Sequence, residues 1–279
     1  MSGTDGCCSP LVVVKLGGSV LSSERAYSRA AEFLAHRLAA APGERFVAVV
    51  SAQEGSTDAL ENTARGIAHS PSSPALHLLW STGEIRSVAL LTLHLEALGI
   101  SAAPLNVHET GLRVGASSSG PGRATLHPAR LHAALGSTRV AVVPGFLGTD
   151  AEGAIVALGR GGSDLTAVLL AAGLGASRCE LVKDVPGYFS ADPHRDAAAR
   201  HLPALTFAQA LALADAGCDL VQRQAIEAAT AARLPILVRS LNESAPVSIV
   251  SEAPASARAQ AAGSHPEPAR AGKGPAFLN

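Results

Sequence analysis

The stretch that most constrains the fold and chemistry of this chain is Gly-Arg-Gly-Gly-Ser-Asp at residues 159–164. A short apolar run precedes it, and a run rich in alanine and leucine follows it. That order predicts a strand, a glycine loop and the N-terminus of a helix. Glycines let a backbone approach a ligand closely, and a helix N-terminus favours phosphate or carboxylate. An alternative stays open here, namely that Ser163 or Asp164 only caps the helix.

A second glycine turn follows the first predicted strand of the chain. The run Leu11–Val14 is rich in β-branched residues and leads into Lys-Leu-Gly-Gly-Ser at 15–19. An amphipathic helix pattern follows as far as Leu38. Lysine is scarce, because only Lys15, Lys183 and Lys273 occur among 22 basic residues. A compact ammonium group suits a transferring phosphoryl group, so Lys15 and Lys183 are candidate functional residues.

Composition narrows the class of protein. The 279 residues are 47% hydrophobic and 16% charged, with a formal net charge of −1. This predicts a large core, in one domain or two coupled lobes, and no nucleic-acid or membrane partner. Residues 1–10 lack a signal-peptide pattern and are interpreted as a loose leader. Four cysteines without metal-type spacing favour reduced thiols and a cytoplasmic location.

Predicted strands and helices alternate along the chain. Strands are expected at 46–50, 101–105, 139–143, 179–182, 236–238 and 248–251, and helices near 88–98, 165–174, 207–216 and 221–232. Alternation of this kind indicates a mostly parallel sheet covered on both faces.

The segments between these elements also carry predictions. Residues 71–74 are expected to form a turn or linker, residues 113–123 a flexible loop, and residues 149–153 a hairpin turn. Glu84 is expected at the start of the helix at 88–98, where it would complement the helix dipole. Residues 252–279 are interpreted as a disordered tail.

Six motifs in order resemble those of the amino acid kinase superfamily, and within it the aspartate kinases. They are KLGGS at 15–19, SAQEGSTDAL at 51–60, STGE at 81–84, GFLG with GRGGSD within 145–164, KDVPGYFSADP at 183–193 and VRSLNESAP at 238–246. The resemblance spans residues 11–251. It implies a three-layer αβα sandwich, with an amino acid and phosphoryl lobe at 11–177 and a nucleotide lobe at 178–251.

The same resemblance implies an activity, which is transfer of the γ-phosphoryl group of ATP to the side-chain carboxylate of L-aspartate, with Mg²⁺. Lys15 would contact the phosphoryl group, and Asp164 would organise the site through Mg²⁺ or by orienting Lys15. Backbone donors would come from Gly17, Gly18 and Ser19. The aspartate would be held by Ser51, Thr57, Glu84, Arg160, Gly161 and Ser163. The nucleotide would be surrounded by Lys183, Asp184, Phe189, Asp192 and Arg223.

Two departures from the family pattern matter. Family members carry a Lys-Val-x-His-Pro stretch where this chain has Gly217-Cys218-Asp219-Leu220-Val221-Gln222-Arg223, so Asp219 replaces a lysine. We expect Arg223 and Lys183 to compensate, with Arg223 able to pair with Asp219 four residues away. Regulatory ACT domains, usual in aspartate kinases, are not expected after residue 251, so feedback by lysine or threonine is not expected either.

Other functions stay open from the sequence. The chain could be a catalytically weak regulatory or binding module of the same fold, or a sibling kinase acting on another acidic small molecule. A homodimer or homo-oligomer is expected.

Overall fold

A computed structural model of the protein describes residues 10–115, 124–159, 161–193, 195–196 and 198–252. Within these residues the strands are β1 Leu11–Leu16, β2 Arg45–Val50, β3 Ala102–Pro104, β4 Leu112–Val114, β5 Ala124–Leu126, β6 Val140–Pro144, β7 Leu147–Thr149, β8 Ile155–Ala157, β9 Arg178–Val182, β10 Ala204–Thr206, β11 Ile236–Arg239 and β12 Ser248–Ser251. The helices are α1 Glu24–Ala40, α2 Ser56–Ile67, α3 Ser73–Ala97, α4 Ala129–Ser137, α5 Gly162–Gly173, α6 Phe207–Asp215 and α7 Arg223–Ala232.

The main sheet has eight strands in the order β10-β12-β11-β9-β1-β2-β6-β3. Every neighbouring pair is parallel except β11 with β12. The central strands are apolar along their length, as in the runs 12–14, 46–50 and 140–143, because helices cover both faces of the sheet. The prediction of a mostly parallel α/β sheet is confirmed.

Helices form the two outer layers. Alternate residues of β1 face opposite ways, so Val12 and Val14 pack against α1 and α3, whereas Val13 lies in a core with α4, α5, α6 and α7. This is the three-layer sandwich that the motif order implies. The division into lobes at 177 and 178 stays a prediction, although β9 of the second segment pairs directly with β1 of the first.

Two local predictions are wrong. The turn or linker predicted at 71–74 is wrong for residues 73 and 74, because α3 begins at Ser73 and tolerates Pro74 in its first turn, where the missing N–H costs nothing. Residues 71 and 72 do lie in the connection between α2 and α3. Glu84 lies in the middle of a 25-residue helix rather than at the start of one, and the helix-dipole interpretation fails.

The first two residues of the loop predicted at 113–123 belong to a strand instead. Arg113 belongs to β4, part of a second sheet ordered β5-β4-β7-β8, and residues 116–123 lie outside the described residues. The hairpin at 149–153 is confirmed, since it joins β7 to β8 in antiparallel pairing. The leader at 1–9 and the tail from 253 also lie outside the described residues.

A buried carboxylate ties α1 to the sheet, and no sequence motif indicated it. Glu180 on β9 is fully buried, with its oxygens 2.8 Å from Arg37 Nη2, 2.7 Å from Arg178 Nε and 3.3 Å from Arg239 Nη1. Burial by itself would raise the pKa of Glu180, but the hydrogen bond and charge of Arg37, with help from Arg178, hold it below its usual value. The ionised carboxylate therefore stabilises the fold.

We predict that Glu180→Gln lowers the free energy of unfolding by about 3 kcal/mol or more, because the largely buried Arg37 and Arg239 lose their nearest counter-charge. Arg178 keeps its contact with Glu44 at 2.8 Å. Urea denaturation near neutral pH measures this loss of stability. The difference should narrow as the pH falls below 4.5, the ordinary glutamate value, because a lowered pKa contributes stability that is lost in acid. The control Glu61→Gln removes a surface ion pair to Arg65 and should cost less than about 1 kcal/mol. Equal losses in the two variants would contradict the prediction.

Candidate active site

The carboxyl ends of four neighbouring strands meet at one edge of the main sheet. In the strand register, Leu16 of β1 lies opposite Val50 of β2 and Val182 of β9, and Val50 lies opposite Pro144 of β6. The residues that follow these strands must therefore emerge side by side. In open α/β sheets this edge is where ligands bind.

A cavity of about 340 Å³ opens at this edge, a volume suited to a small-molecule ligand. It is lined by Lys15, Gly18, Ser19, Ser51, Ala52, Gln53, Glu54, Gly55, Thr57, Asp58, Glu84, Phe146, Gly161, Gly162, Ser163, Asp164, Lys183 and Gln222. Five of the six motifs contribute to this wall, although they are far apart in the sequence.

Asp164 lies at the centre of the charged groups. Its Oδ1 is 2.9 Å from Lys15 Nζ and its Oδ2 is 2.7 Å from Lys183 Nζ. All three side chains are largely buried, with 3%, 8% and 14% exposed for Asp164, Lys15 and Lys183. One carboxylate therefore bridges two ammonium groups and leaves a net positive charge facing the cavity.

The charges in this trio depend on one another. Burial by itself would raise the pKa of Asp164, but Lys15 and Lys183 outweigh burial and hold that pKa below its usual value. Burial lowers the pKa of Lys183, as does Lys15, whereas Asp164 opposes both. Asp164 is thus ionised at neutral pH and keeps two ammonium groups together in a site that would otherwise repel the second.

The glycine loop presents an uncapped helix end to the cavity. Helix α5 begins at Gly162, and its N-cap residue Gly161 has φ +73° and provides no side-chain cap. The alternative that Ser163 or Asp164 caps the helix is therefore wrong, since Asp164 binds the two lysines instead. A Cβ at Gly161 would lie 1.9 Å from Gln222 Cγ, so any side chain there would require Gln222 to move.

Glu84 enters the cavity from the middle of α3. Its Oε1 accepts a hydrogen bond from the Ala52 N–H at 3.3 Å, whereas the buried Oε2 has no hydrogen-bond partner among the described residues. The side chain is only 2% exposed, and burial raises the pKa of Glu84 to about 7. A buried carboxylate oxygen without a partner is costly, so this group fits a ligand that brings a donor or a positive charge.

The other predicted residues of the first site divide as follows. Ser51 and Thr57 lie in the cavity wall with Gly18, Ser19 and Ser163. Gly17 does not line the cavity but lies behind Lys15, whose Nζ would be 3.2 Å from a Cβ at Gly17. Arg160 lies outside the described residues, so its predicted carboxylate contact stays a prediction.

A second cavity, of about 530 Å³, lies between the loop at 184–193 and the segment at 213–220. Asp184, Phe189 and Asp192 line it, as predicted for a nucleotide site, and Asp219 lines it as well. Lys183 belongs to the first cavity instead, where it binds Asp164. Among the described residues that line the second cavity, none is a lysine or an arginine.

Arg223 is not where the helical spacing placed it. It lines neither cavity and instead contacts Asp215 and Glu227 on the protein surface. The expected pairing with Asp219 fails because α6 ends at Asp215 and α7 begins at Arg223, so residues 219 and 223 do not share a helix. Arg223 therefore does not replace the missing lysine in this structure.

Several lining residues of the first cavity were given no role by the sequence analysis, among them Phe146 and Gln222. Phe146 follows β6 with φ +68°, unusual for a residue other than glycine, and Gln222 reaches the cavity from the segment before α7. Phe146 stood inside the GFLG motif without a role. Gln222 lies in the segment 217–223, which departs from the family pattern, so nothing in the sequence distinguished it from its neighbours as a cavity residue.

Comparisons with known proteins agree with this geometry. The family model "Amino acid kinase family" matches residues 10–240. An aspartokinase of Thermus thermophilus is 37% identical over 242 residues, which cover 87% of this chain and 59% of that protein. The chain thus spans about three fifths of the length of this relative.

Solved structures of the same kind share the fold. The aspartate kinase of Synechocystis superposes with a TM-score of 0.75 at 31% identity, over 88% of this chain and 40% of that one. Aspartokinase III of E. coli, solved with aspartate and ADP, gives a TM-score of 0.72 at 25% identity, over 87% of this chain and 64% of that one. By its matched sequence and by its fold, the chain belongs to the amino acid kinase family.

Proposed function

We propose that this protein transfers the γ-phosphoryl group of ATP to the side-chain carboxylate of L-aspartate, giving 4-phospho-L-aspartate. The observation that carries the proposal is the buried Oε2 of Glu84, which has no hydrogen-bond partner in the described part of the chain and lies in the same cavity as the Lys15–Asp164–Lys183 trio. One wall offers a negative group for an ammonium, and another offers positive charge for a phosphoryl group. An amino acid supplies the ammonium, and if its second carboxylate accepts the phosphoryl group of ATP, both requirements are met at once.

The bound aspartate is placed by charge. Its ammonium would neutralise Glu84, and its carboxylates would meet Ser51, Thr57 and the N-terminus of α5, with Arg160 as the predicted clamp. The relatives named above are aspartokinases, which supports aspartate over other acidic substrates. No observation on the described residues favours the weak binding module or the sibling kinase.

In the proposed reaction, an oxygen of the aspartate side chain forms a bond to the γ-phosphorus, and the bond from that phosphorus to the β–γ bridging oxygen breaks. The protein's task is to position the two reactants and to neutralise the negative charge that spreads over the phosphoryl oxygens. Lys15 and Lys183 supply two ammonium groups at a spacing fixed by Asp164. The donors at Gly18, Ser19 and the start of α5 complete the cradle.

The nucleoside of ATP would occupy the second cavity. The two cavities adjoin at the turn after β9, where Lys183 lines the first cavity and Asp184 lines the second. Because none of the second cavity's described lining residues is basic, the triphosphate depends on the lysines of the first cavity and on Mg²⁺. Among the described residues no cluster of three or more His, Cys, Asp or Glu side chains could hold a metal ion. A Mg²⁺ that arrives with ATP would therefore be held chiefly by phosphate oxygens and water, as is common for this ion.

The described residues contain no helix with both the length and the apolar character needed to cross a bilayer. A cytoplasmic location, a role in amino-acid biosynthesis and a homo-oligomeric state stay predictions from the sequence.

We predict that the protein with ATP and Mg²⁺ forms an acyl phosphate on L-aspartate, trapped as the hydroxamate by hydroxylamine. N-acetyl-L-aspartate is the matched control, since it keeps both carboxylates but has no ammonium for Glu84. Its kcat/KM should be about 10–100-fold lower, the usual worth of a hydrogen bond to a charged group. No hydroxamate with aspartate, glutamate or close analogues would refute the proposed function.

Asp164→Asn should lower kcat about 10²–10³-fold, because an amide cannot hold two ammonium groups against the phosphoryl group. Steady-state kinetics at saturating substrates measure the change. The control Asp215→Asn alters a surface aspartate that contacts Arg223 outside both cavities and should leave kcat within about twofold. A kcat that survives Asp164→Asn would remove this residue from the mechanism.

Aspartate binding should strengthen as the pH rises from 6 to 8. The ammonium binds the ionised form of Glu84, whose pKa is about 7, so below that value the apparent KM for aspartate should rise by up to about tenfold per pH unit. Glu84→Gln should raise this KM and abolish its pH dependence in the same range. The control is Glu96→Gln, an exposed position on the same helix. An unchanged pH profile in Glu84→Gln would assign the titration to another group.

A further inference from the structure

A serine behind the second cavity makes contacts that the reaction described above does not use. Ser248 on β12 is fully buried. Its Oγ lies 2.8 Å from the backbone N of Tyr188, 3.0 Å from His201 Nε2 and 2.6 Å from the carbonyl oxygen of Leu202. Neither Ser248 nor His201 lines either cavity. The hydroxyl thus joins the last strand of the sheet to the loop that forms the cavity wall.

The donors and acceptors around the Ser248 hydroxyl determine the direction of each hydrogen bond it makes. A serine hydroxyl has one proton to donate and two lone pairs to accept. The carbonyl of Leu202 can only accept, so it takes the hydroxyl proton. The N–H of Tyr188 fills one lone pair, and His201 must carry its proton on Nε2 to fill the other. Burial lowers the pKa of His201, which agrees with a neutral ring of this tautomer.

The same hydroxyl explains the glycine of the KDVPGYFSADP motif. A Cβ on Gly187 would lie 2.4 Å from Ser248 Oγ and 2.9 Å from His201 Nε2. Both distances are shorter than non-bonded atoms tolerate. Only glycine lets the loop backbone rest directly on the Ser248–His201 pair.

The hydrogen bond that holds the backbone at Tyr188 also fixes the positions of the residues on either side of it. The Tyr188 ring is buried in the core, whereas Gly187 and Phe189 line the second cavity. Backbone hydrogen bonds from Leu202 N to Tyr188 O (2.8 Å) and from Ser190 N to Arg200 O (2.9 Å) continue the anchor as a short ladder. The Phe189 ring also meets the His201 ring edge to face, with centroids 5.4 Å apart.

We propose that Ser248 is a positioning residue for nucleotide binding, which acts by holding the Gly187–Phe189 wall of the second cavity through Tyr188 and His201. The proposal deepens the proposed function and rests on the part of it that places the nucleotide in this cavity. It predicts a defect confined to the nucleotide, because Ser248 contacts nothing in the first cavity.

The test compares Ser248→Ala with Ser244→Ala, an exposed serine in the turn before β12. Calorimetry with a non-hydrolysable ATP analogue and Mg²⁺ measures affinity, and steady-state kinetics measure both KM values. Loss of Ser248 leaves the buried N–H of Tyr188 unpaired, so nucleotide affinity should fall about 5–50-fold. The KM for aspartate should stay within about twofold, and Ser244→Ala should match the parent in every measurement. Thermal unfolding confirms that the variants are folded.

His201 provides a second pair of variants, which keeps the test valid if Ser248→Ala does not fold. His201→Ala removes one donor to Ser248 and should weaken nucleotide binding less than Ser248→Ala does. His201→Gln keeps an N–H donor near the position of Nε2 and should recover most of the loss. A merely structural role would lower thermal stability in both His201 variants without this difference in nucleotide affinity.

Two results would overturn the proposal. One is unchanged nucleotide affinity in folded Ser248→Ala, or in folded His201→Ala where Ser248→Ala does not fold, and the other is a proportional loss of nucleotide and aspartate binding. Failure of the proposed function looks different. In that case the parent binds the nucleotide analogue but forms no aspartyl phosphate, and calorimetry still decides the role of Ser248.

Discussion

The two ion pairs of Asp164 are the interaction on which the rest of the site depends. Lys15 lies near the end of β1 and Lys183 directly after the adjacent, parallel β9. Two buried ammonium groups this close would repel each other without a carboxylate between them. Asp164, in the first turn of α5, supplies that carboxylate from a third element. The positions of β1, of the turn after β9 and of α5 therefore depend on one another, because displacing any of them would leave a buried charge without its partner.

Around this trio the fold forms two cavities with different linings. The first cavity combines the Lys15–Asp164–Lys183 trio with the buried carboxylate of Glu84, which fits the amino acid and the phosphoryl group of the proposed function. The second cavity has carboxylates and apolar groups but, among its described residues, no basic side chain, which suits a nucleoside whose phosphates point elsewhere. Lys183 and Asp184 are consecutive residues that belong to different cavities, so the turn after β9 marks the boundary between them.

Prediction from the sequence succeeded where local patterning and motif chemistry agree. The apolar strands, the glycine loop before α5 and the cavity residues Lys15, Glu84 and Asp164 were found, because each of these residues lies in one of the recognised motifs, although the sequence misplaced Glu84 at the start of a helix. It failed for Arg223, since a helical spacing was applied across a break between two helices. It also missed Gln222 and Ser248, whose partners are more than 40 residues away in the sequence.

The sequence by itself determined the parallel α/β sandwich, the family and most of the polar residues of the first cavity. Periodicity and glycine placement specify local structure, and they need no knowledge of distant contacts. Only the tertiary structure decided which of those residues touch. It placed Lys183 against Asp164 in the first cavity, buried Glu84 with one oxygen unpaired among the described residues, and gave Glu180 and Ser248 their partners. These outcomes depend on burial and on the meeting of strands far apart in the chain, which no local pattern encodes.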